Sequence, residues 1–314
     1  MKSITVRVPA TSANCGPGFD CLGLALTLYN TFSFTPDETA TSNSYTFEGF
    51  GADILAAEDP AHNLVGEAMQ KVFEITVSKP VCGHLHTVTE IPPSRGLGSS
   101  STAIVAGLML ANRLVENPLS KDALLELATE LEGHPDNVAP ALLGNLICAV
   151  NHSSGVLHTM ITIPDTMRFA VAVPDVLVST EYARSVLPQT ITHKKAAINV
   201  SHAALFLTSL LQGKTENLQV AMEDFLHVPY RRELIPHCDE AFEAALTGGA
   251  YGTTISGSGS TLMACQQTGR ICYGIELDEK FVDVIVKRYI SECGSEGVFV
   301  LRGNEKIPYD KVQE

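Results

Sequence analysis

Apolar and polar residues alternate near the start of the chain, over 4–8 and again over 26–34, with β-branched and aromatic side chains frequent in both stretches. That two-residue period predicts strands, and 83–91 is a weaker candidate of the same kind. The period then lengthens. Residues 100–114 are nearly all small or apolar, which predicts a helix buried on most sides. Over 121–131 the apolar residues Leu124, Leu127, Ala128 and Leu131 fall on one helical stripe, Ser120 is positioned as an N-cap, and Glu126 and Glu130 stand four apart on another part of that surface. Helical spacing recurs at 194–212 and at 280–292, where Phe281, Ile285 and Tyr289 repeat. Residues 253–256 and 261–265 read as strands around a Gly/Ser turn, and 298–301 as a late strand. Strands and helices mixed without strict alternation predict an α+β fold. A polar turn cluster at 151–155 suggests two domains, 1–155 and 156–314.

Charge narrows the partners. The 314 residues carry 21 Lys+Arg against 35 Asp+Glu, a formal net charge of -14, and the first 150 residues contain only seven of the basic side chains. A nucleic-acid partner or an anionic membrane surface would need a basic face that the first half cannot build. The most apolar run, 103–111, is far short of a bilayer span. The opening MKSITVRVPATSANCGPG breaks into Pro and Gly before any apolar secretory segment forms. No two of the eight cysteines are spaced as CxxC, so reduced thiols in a cytoplasmic enzyme are expected.

The strongest chemical signal is PPSRGLGSSSTA, 92–103. Prolines stop the preceding segment, Gly96 and Gly98 permit unusual backbone geometry, and three serines and a threonine lead into the buried helix. A glycine loop opening a helix presents backbone N–H groups to an anion, the macrodipole favours negative charge there, and serine hydroxyls can add donors or a magnesium ligand. Arg95 lies inside this loop. It is not a Walker A loop, because GxxxxGK[ST] does not occur. Taken alone it is equally a tight loop with a Ser-rich helix cap.

Four further segments carry polar chemistry. In VPATSANCGPGFDCLGLAL, Asn14 and Asp20 bracket a Gly-Pro-Gly turn and could present an amide and a carboxylate to a small ligand, or form a structural Asx turn. Cys15 and Cys21 flank that turn, but its logic needs no thiol. GHPDNVAPALLGN places His134, Asp136 and Asn137 ahead of an apolar segment, as a hydrogen-bonding cluster or a helix cap. VSTEYARSVLP and VPYRRELIP hold Thr180, Arg184 and Arg231, whose forked guanidinium donors match a carboxylate or belong to a solvated face. GAYGTTISGSGSTLMA is a Gly/Ser hairpin able to pack against the first glycine loop. His84 and His86 lack a third metal ligand at a recognised spacing.

These segments, in this order, resemble the GHMP kinase superfamily and, within it, the homoserine kinases, nearly end to end. PATSANCGPGFDCLGLAL, RGLGSSS, HPDNVAPALLGN, STEYARSVLP, YRRELIP and TISGSGST carry the likeness. The glycine-serine loop marks the superfamily; the opening segment and DNVAP are more specific. The resemblance implies an N-terminal nucleotide-binding domain, a C-terminal ferredoxin-like domain and an active site in the cleft between them. It implies ATP phosphates held by Pro92, Pro93, Ser94, Arg95, Gly96, Leu97, Gly98, Ser99, Ser100, Ser101 and Thr102, with Asn63 near the adenine. Mg2+ would lie on Ser100 and Glu126. L-homoserine would be held by Asn14, Asp20, His134, Asp136, Asn137, Thr180, Arg184 and Arg231, with Asp136, Asn137 and Arg95 serving catalysis and a homodimer as the assembly. Whether Asp136 is a general base or an ammonium anchor stays open. Rival readings are a GHMP kinase for shikimate, mevalonate or a related amino-alcohol, and a non-catalytic ligand-binding protein on the same fold. Two positions depart from the family pattern: Ser101 stands where alanine is usual, and Ser260, in place of a proline, would loosen the hairpin.

Overall fold

The computed structural model describes residues 2–57, 59–164, 167–174, 176–267, 299–302 and 305–308. Its first sheet is organised by one long strand. β1 (Ile4–Ala13) runs antiparallel along one edge of β2 (Leu22–Pro36), with a register shift between Pro9 and Thr11. The other edge of β2 is shared: its C-terminal half pairs with β4 (Gly83–Thr89) and its first residues pair with β5 (Leu146–His152). β3 (Ser44–Gly49) extends the sheet beyond β4 in parallel, and β6 (Gly155–Ile161) extends it beyond β5. The first sheet thus runs through Ile161, so a break at 155 falls at the start of a paired strand.

Helices cover one face of this sheet. α1 (Ala52–Ala57) is a short turn after β3, and α2 (Leu64–Ile75) packs along α3 (Ser99–Asn112). α3 is buried almost all round, as its run of small and apolar residues requires, and it joins α4 (Lys121–Glu132) and α5 (Pro135–Leu143) in one apolar cluster with Val8, Phe34 and Ile147 of the sheet. Ser120 caps α4, its hydroxyl accepting from the Ala123 amide.

The second sheet is antiparallel, in the order β7 (Met167–Ala172), β9 (Leu262–Gln267), β8 (Gly252–Ile255). Between β7 and β8 run α6 (Thr180–Ser185), α7 (His193–Gln212), α8 (Leu218–Ala221), α9 (Val228–Arg231) and α10 (Cys238–Thr247). Phe206 and Leu210 of α7 pack with Met263 and Cys265 of β9 and, across to the first sheet, with Leu22, Leu24 and Leu146. Strand β10 (Phe299–Arg302) pairs with β11 (Glu305–Pro308) near the predicted 298–301 strand. The helix expected over 280–292 lies outside the described residues.

Candidate active site

The glycine loop enters α3 through Gly98, whose φ of 69° is left-handed; a side chain there would collide with the Thr11 hydroxyl, 2.0 Å from a β-carbon. No side chain caps the helix, and its first bond runs from the Thr102 amide to the Gly98 carbonyl (2.9 Å). The amides of Ser99, Ser100 and Ser101 form the leading turn, the place where an anion is best received. Asn30 fixes the loop from behind. Its Oδ1 accepts from the Glu90 and Ile91 amides, and its Nδ2 donates to the Thr102 hydroxyl.

The Gly/Ser hairpin packs on this loop, as expected. Gly96 and Gly259 meet backbone to backbone, and a β-carbon on Gly259 would lie 2.1 Å from the Gly96 nitrogen. The Ser256 hydroxyl donates to the Gly96 carbonyl (2.7 Å), and the Arg95 carbonyl accepts from the Thr261 amide. Ser260, far from loosening the turn, is fully buried and donates to the Val176 carbonyl at 2.6 Å. Arg95 sends Nη1 to the Pro174 carbonyl (3.0 Å), tying the loop to the segment after β7. Asn63 accepts from the Val65 and Gly66 amides, capping α2.

Beside the helix N-terminus lies a cluster of charges. Arg184 on α6 grips Asp20 with both terminal nitrogens, at 2.7 and 3.1 Å, and this pairing raises the arginine's pKa. The Thr180 hydroxyl bonds Ser258 of the hairpin. His134 and Asp136 bond at 2.5 Å through Nδ1; Asp136 is 2% exposed, and its hydrogen bond raises the His134 pKa. The Thr11 hydroxyl donates to Asn137 Oδ1 (2.8 Å).

Two expected ligand-binding side chains are committed to the fold. Asn14 accepts from the Asp20 amide and donates to the Gly257 carbonyl. Arg231, buried and with its pKa pushed down to about 10 by desolvation, donates from Nε to the Ala183 carbonyl and from Nη1 to the Gly257 carbonyl. Phe19 lies under the guanidinium groups of both Arg184 and Arg231, with its ring centre 5.6 and 5.4 Å from their central carbons. Phe19 was not among the residues singled out in the sequence. Its place in the Gly-Pro-Gly-Phe-Asp turn, one residue before Asp20, was the available signal.

Two carboxylates of α4 stand in different surroundings. Glu126 is exposed and packs against Gly155, where a β-carbon would stand 2.1 Å from its Oε1. Glu132, at the end of α4, accepts from the Ser101 hydroxyl at 2.8 Å and also interacts with Ser100. Burial raises its pKa. A half-buried carboxylate beside serine hydroxyls at an uncapped helix N-terminus is an oxygen donor set that suits a hard divalent cation. Among the described residues no group of three or more His, Cys, Asp or Glu side chains forms a metal cage, so such an ion would take its remaining ligands from phosphate and water. His84 instead bonds the Ser44 and Thr46 hydroxyls across β3 and β4. Among the described residues no helix is long and apolar enough to cross a membrane.

Comparison with known proteins places this geometry. Residues 63–145 match the GHMP kinases N terminal domain, and residues 206–265 match GHMP kinases C terminal. The homoserine kinase of Carboxydothermus hydrogenoformans is 40% identical over 287 residues, 91% of this chain and 92% of its own. That of Clostridium botulinum is 39% identical, over 96% of this chain and 99% of its own. The crystal structure of homoserine kinase from Cytophaga hutchinsonii superposes with a TM-score of 0.78 at 30% identity, covering 86% of this chain and 87% of that one. With relatives this similar over nearly its whole length, the chain belongs to the homoserine kinase family of the GHMP kinases.

Proposed function

We propose that this chain transfers the terminal phosphoryl group of ATP to the side-chain hydroxyl of L-homoserine, giving O-phospho-L-homoserine and ADP, with Mg2+ as the assisting ion. The observation that carries the reading is the juxtaposition of the uncapped α3 turn with the Asp20–Arg184 and His134–Asp136 pairs. A phosphate site and a zwitterion site share one cleft.

The nucleotide phosphates rest on the amides of Gly96 to Ser101, and Asn63 stands at the start of the helix packed along α3. Arg95 serves by anchoring the loop through Pro174. Mg2+ would sit on Ser100 and Glu132, rather than Glu126, and when bound it neutralises charge on the phosphates. The substrate's ammonium and carboxylate complement Asp20 and Arg184, the two halves of the existing ion pair, with Thr180 alongside. Asn14 and Arg231 hold the Gly257 carbonyl and the Asp20 turn in place. Thr11 fixes the Asn137 carbonyl oxygen, so its NH2 is the end directed at the substrate hydroxyl. Asp136 is engaged by His134, whose raised pKa favours the imidazolium. That pairing suits an anchoring carboxylate better than a general base, because a base must have its lone pair free for the substrate proton.

A coupled ADP-release assay across L-homoserine, L-threonine, mevalonate, shikimate and galactose tests the substrate, and activity no higher than background with millimolar L-homoserine would refute it. The same assay on Asp136→Asn separates its roles. An anchor raises KM for L-homoserine far more than it lowers kcat, whereas a base abolishes kcat at saturation.

A further inference from the structure

The cysteines play no part in the reaction above, yet two of them are brought together. Cys21 is the last residue of the Gly-Pro-Gly turn, and Cys148 is in β5. Their sulfurs are 3.4 Å apart and share a hydrogen bond. The backbones run side by side here, since the Ala149 amide donates to the Cys21 carbonyl at 2.9 Å. Adjacent paired backbones lie within the span a disulfide bridges. Both side chains are partly exposed, and both thiols are free.

We propose that Cys21 and Cys148 form a reversible disulfide, made by hydrogen peroxide and broken by a dithiol, and that its formation weakens binding of the amino-acid substrate. The Cys148 thiolate attacks a peroxide oxygen. An S–O bond forms, the O–O bond breaks, and the departing hydroxide takes a proton to become water. The Cys21 sulfur then attacks the sulfenic sulfur of Cys148. An S–S bond forms, the S–O bond breaks, and hydroxide leaves with the Cys21 proton as a second water. Two thiols are oxidised and one peroxide is reduced to two waters.

Among the described cysteines this is the pair whose sulfurs meet. The hydrogen bond from Cys21 draws the Cys148 pKa down to about 7, which supplies thiolate at neutral pH. Cys15, Cys238 and Cys265 are buried, and burial pushes their thiols up, the last two to about 12.

The coupling to substrate is short. Closing the gap from 3.4 Å to a bonded separation of about 2.05 Å ties the Cys21 side chain to β5. Cys21 follows Asp20 directly, and Asp20 has a left-handed φ of 53°. Its amide is held by Asn14 and its carboxylate by Arg184. A pull on Cys21 therefore reaches the Asp20–Arg184 pair first. This consequence rests on the proposed substrate site; the bond itself does not.

The test uses the full chain, reduced and desalted, then treated with hydrogen peroxide at one equivalent, alkylated and mapped by peptide mass spectrometry. Fragment sequencing is needed because Cys15 and Cys21 share a tryptic peptide. The expected result is a Cys21–Cys148 linked peptide and a KM for L-homoserine raised roughly tenfold, with KM for ATP little changed. Dithiothreitol should restore it, and Cys148→Ser should keep its KM through the treatment. Both thiols remaining alkylatable after peroxide has been consumed would overturn the proposal. So would a linked peptide with unchanged KM, or equal peroxide sensitivity in Cys148→Ser. Should the reduced chain not phosphorylate L-homoserine, the function proposed above fails, while the peptide map still decides the bond.

Discussion

On α4, the carboxylate of Glu132 bonds Ser101, and that of Glu126 lies against Gly155 on the protein's surface. The resemblance to the family pattern pointed to Glu126. What decides between them is the direction in which a helix end presents its last side chain, and a one-dimensional pattern does not contain that direction. Glu132→Gln should lower kcat/KM on the order of a hundredfold and raise the Mg2+ concentration needed for half-maximal rate. Glu126→Gln should stay within about twofold of wild type. Steady-state kinetics over a magnesium titration checks both. Equal effects of the two changes would return the metal to the middle of the helix. Asp20, His134, Asp136, Asn137, Thr180 and Arg184 could be picked out as candidates because they belong to short polar motifs in a turn and on short helices. The structural commitments of Asn14 and Arg231 could not, since each depends on the Gly257 carbonyl, more than twenty residues away or on another element.

The elements divide in a similar way. α3, α4 and α7 were legible because an amphipathic stripe or an unbroken apolar run is a local property. β3 and β6 were missed: both are edge strands, largely exposed, and their existence depends on pairing with β4 and β5. α5 opens at Pro135, inside the segment read as a polar cluster, because proline at the first helical position is compatible with a helix start. The junction of loop and helix at Gly98 makes a prediction at this scale. Gly98→Ala introduces a β-carbon at positive φ and against the Thr11 hydroxyl, so the chain should lose about 1–3 kcal/mol of stability. Thr11 also bonds Asn137, so both substrate sites feel the shift. Thermal melting should show a lower Tm, and KM for ATP should rise. An unaltered Tm would mean the turn relaxes without strain.

Across the molecule, charge and burial together set the response to pH. His227 is fully buried behind the Gly-Pro-Gly turn, where its Nε2 donates to the Gly16 carbonyl, its Nδ1 has no partner, and Phe19 stacks near it. Burial holds its pKa below the ordinary histidine value, against the pull of Asp224. The folded state therefore favours the neutral ring, and the unfolded chain takes up a proton first as pH falls. Stability from this residue is full above the ordinary histidine range, about 6.5, and is lost as pH drops below it. The Tm of the wild type should fall between about pH 7 and pH 5.5, and His227→Gln should flatten that slope even if its Tm at pH 7 is lower. The net charge of -14 describes the exterior. Beside the start of α3 the positive potential is local, built from the α3 amides and from arginines paired or bonded in place.

The joints between the two sheets have one further consequence. Arg95 reaches the Pro174 carbonyl, Ser256 that of Gly96, Asn14 that of Gly257, Asn199 that of Pro17, and His227 that of Gly16. Each of these acceptors is a main-chain oxygen, which any amino acid supplies, whereas Arg184 to Asp20 and Ser256 to Ser12 are side-chain pairs across the same seam. Each main-chain joint thus has one end that mutation can break and one that it leaves chemically intact. In an evolving population, changes at Pro174 or Pro17 would be filtered by fit alone, while Arg95, Asn199 and His227 would be held by what they donate. At these joints the seam is specified from one side only, and it can drift on the other without coming apart, while the Arg184–Asp20 pair holds both of its residues.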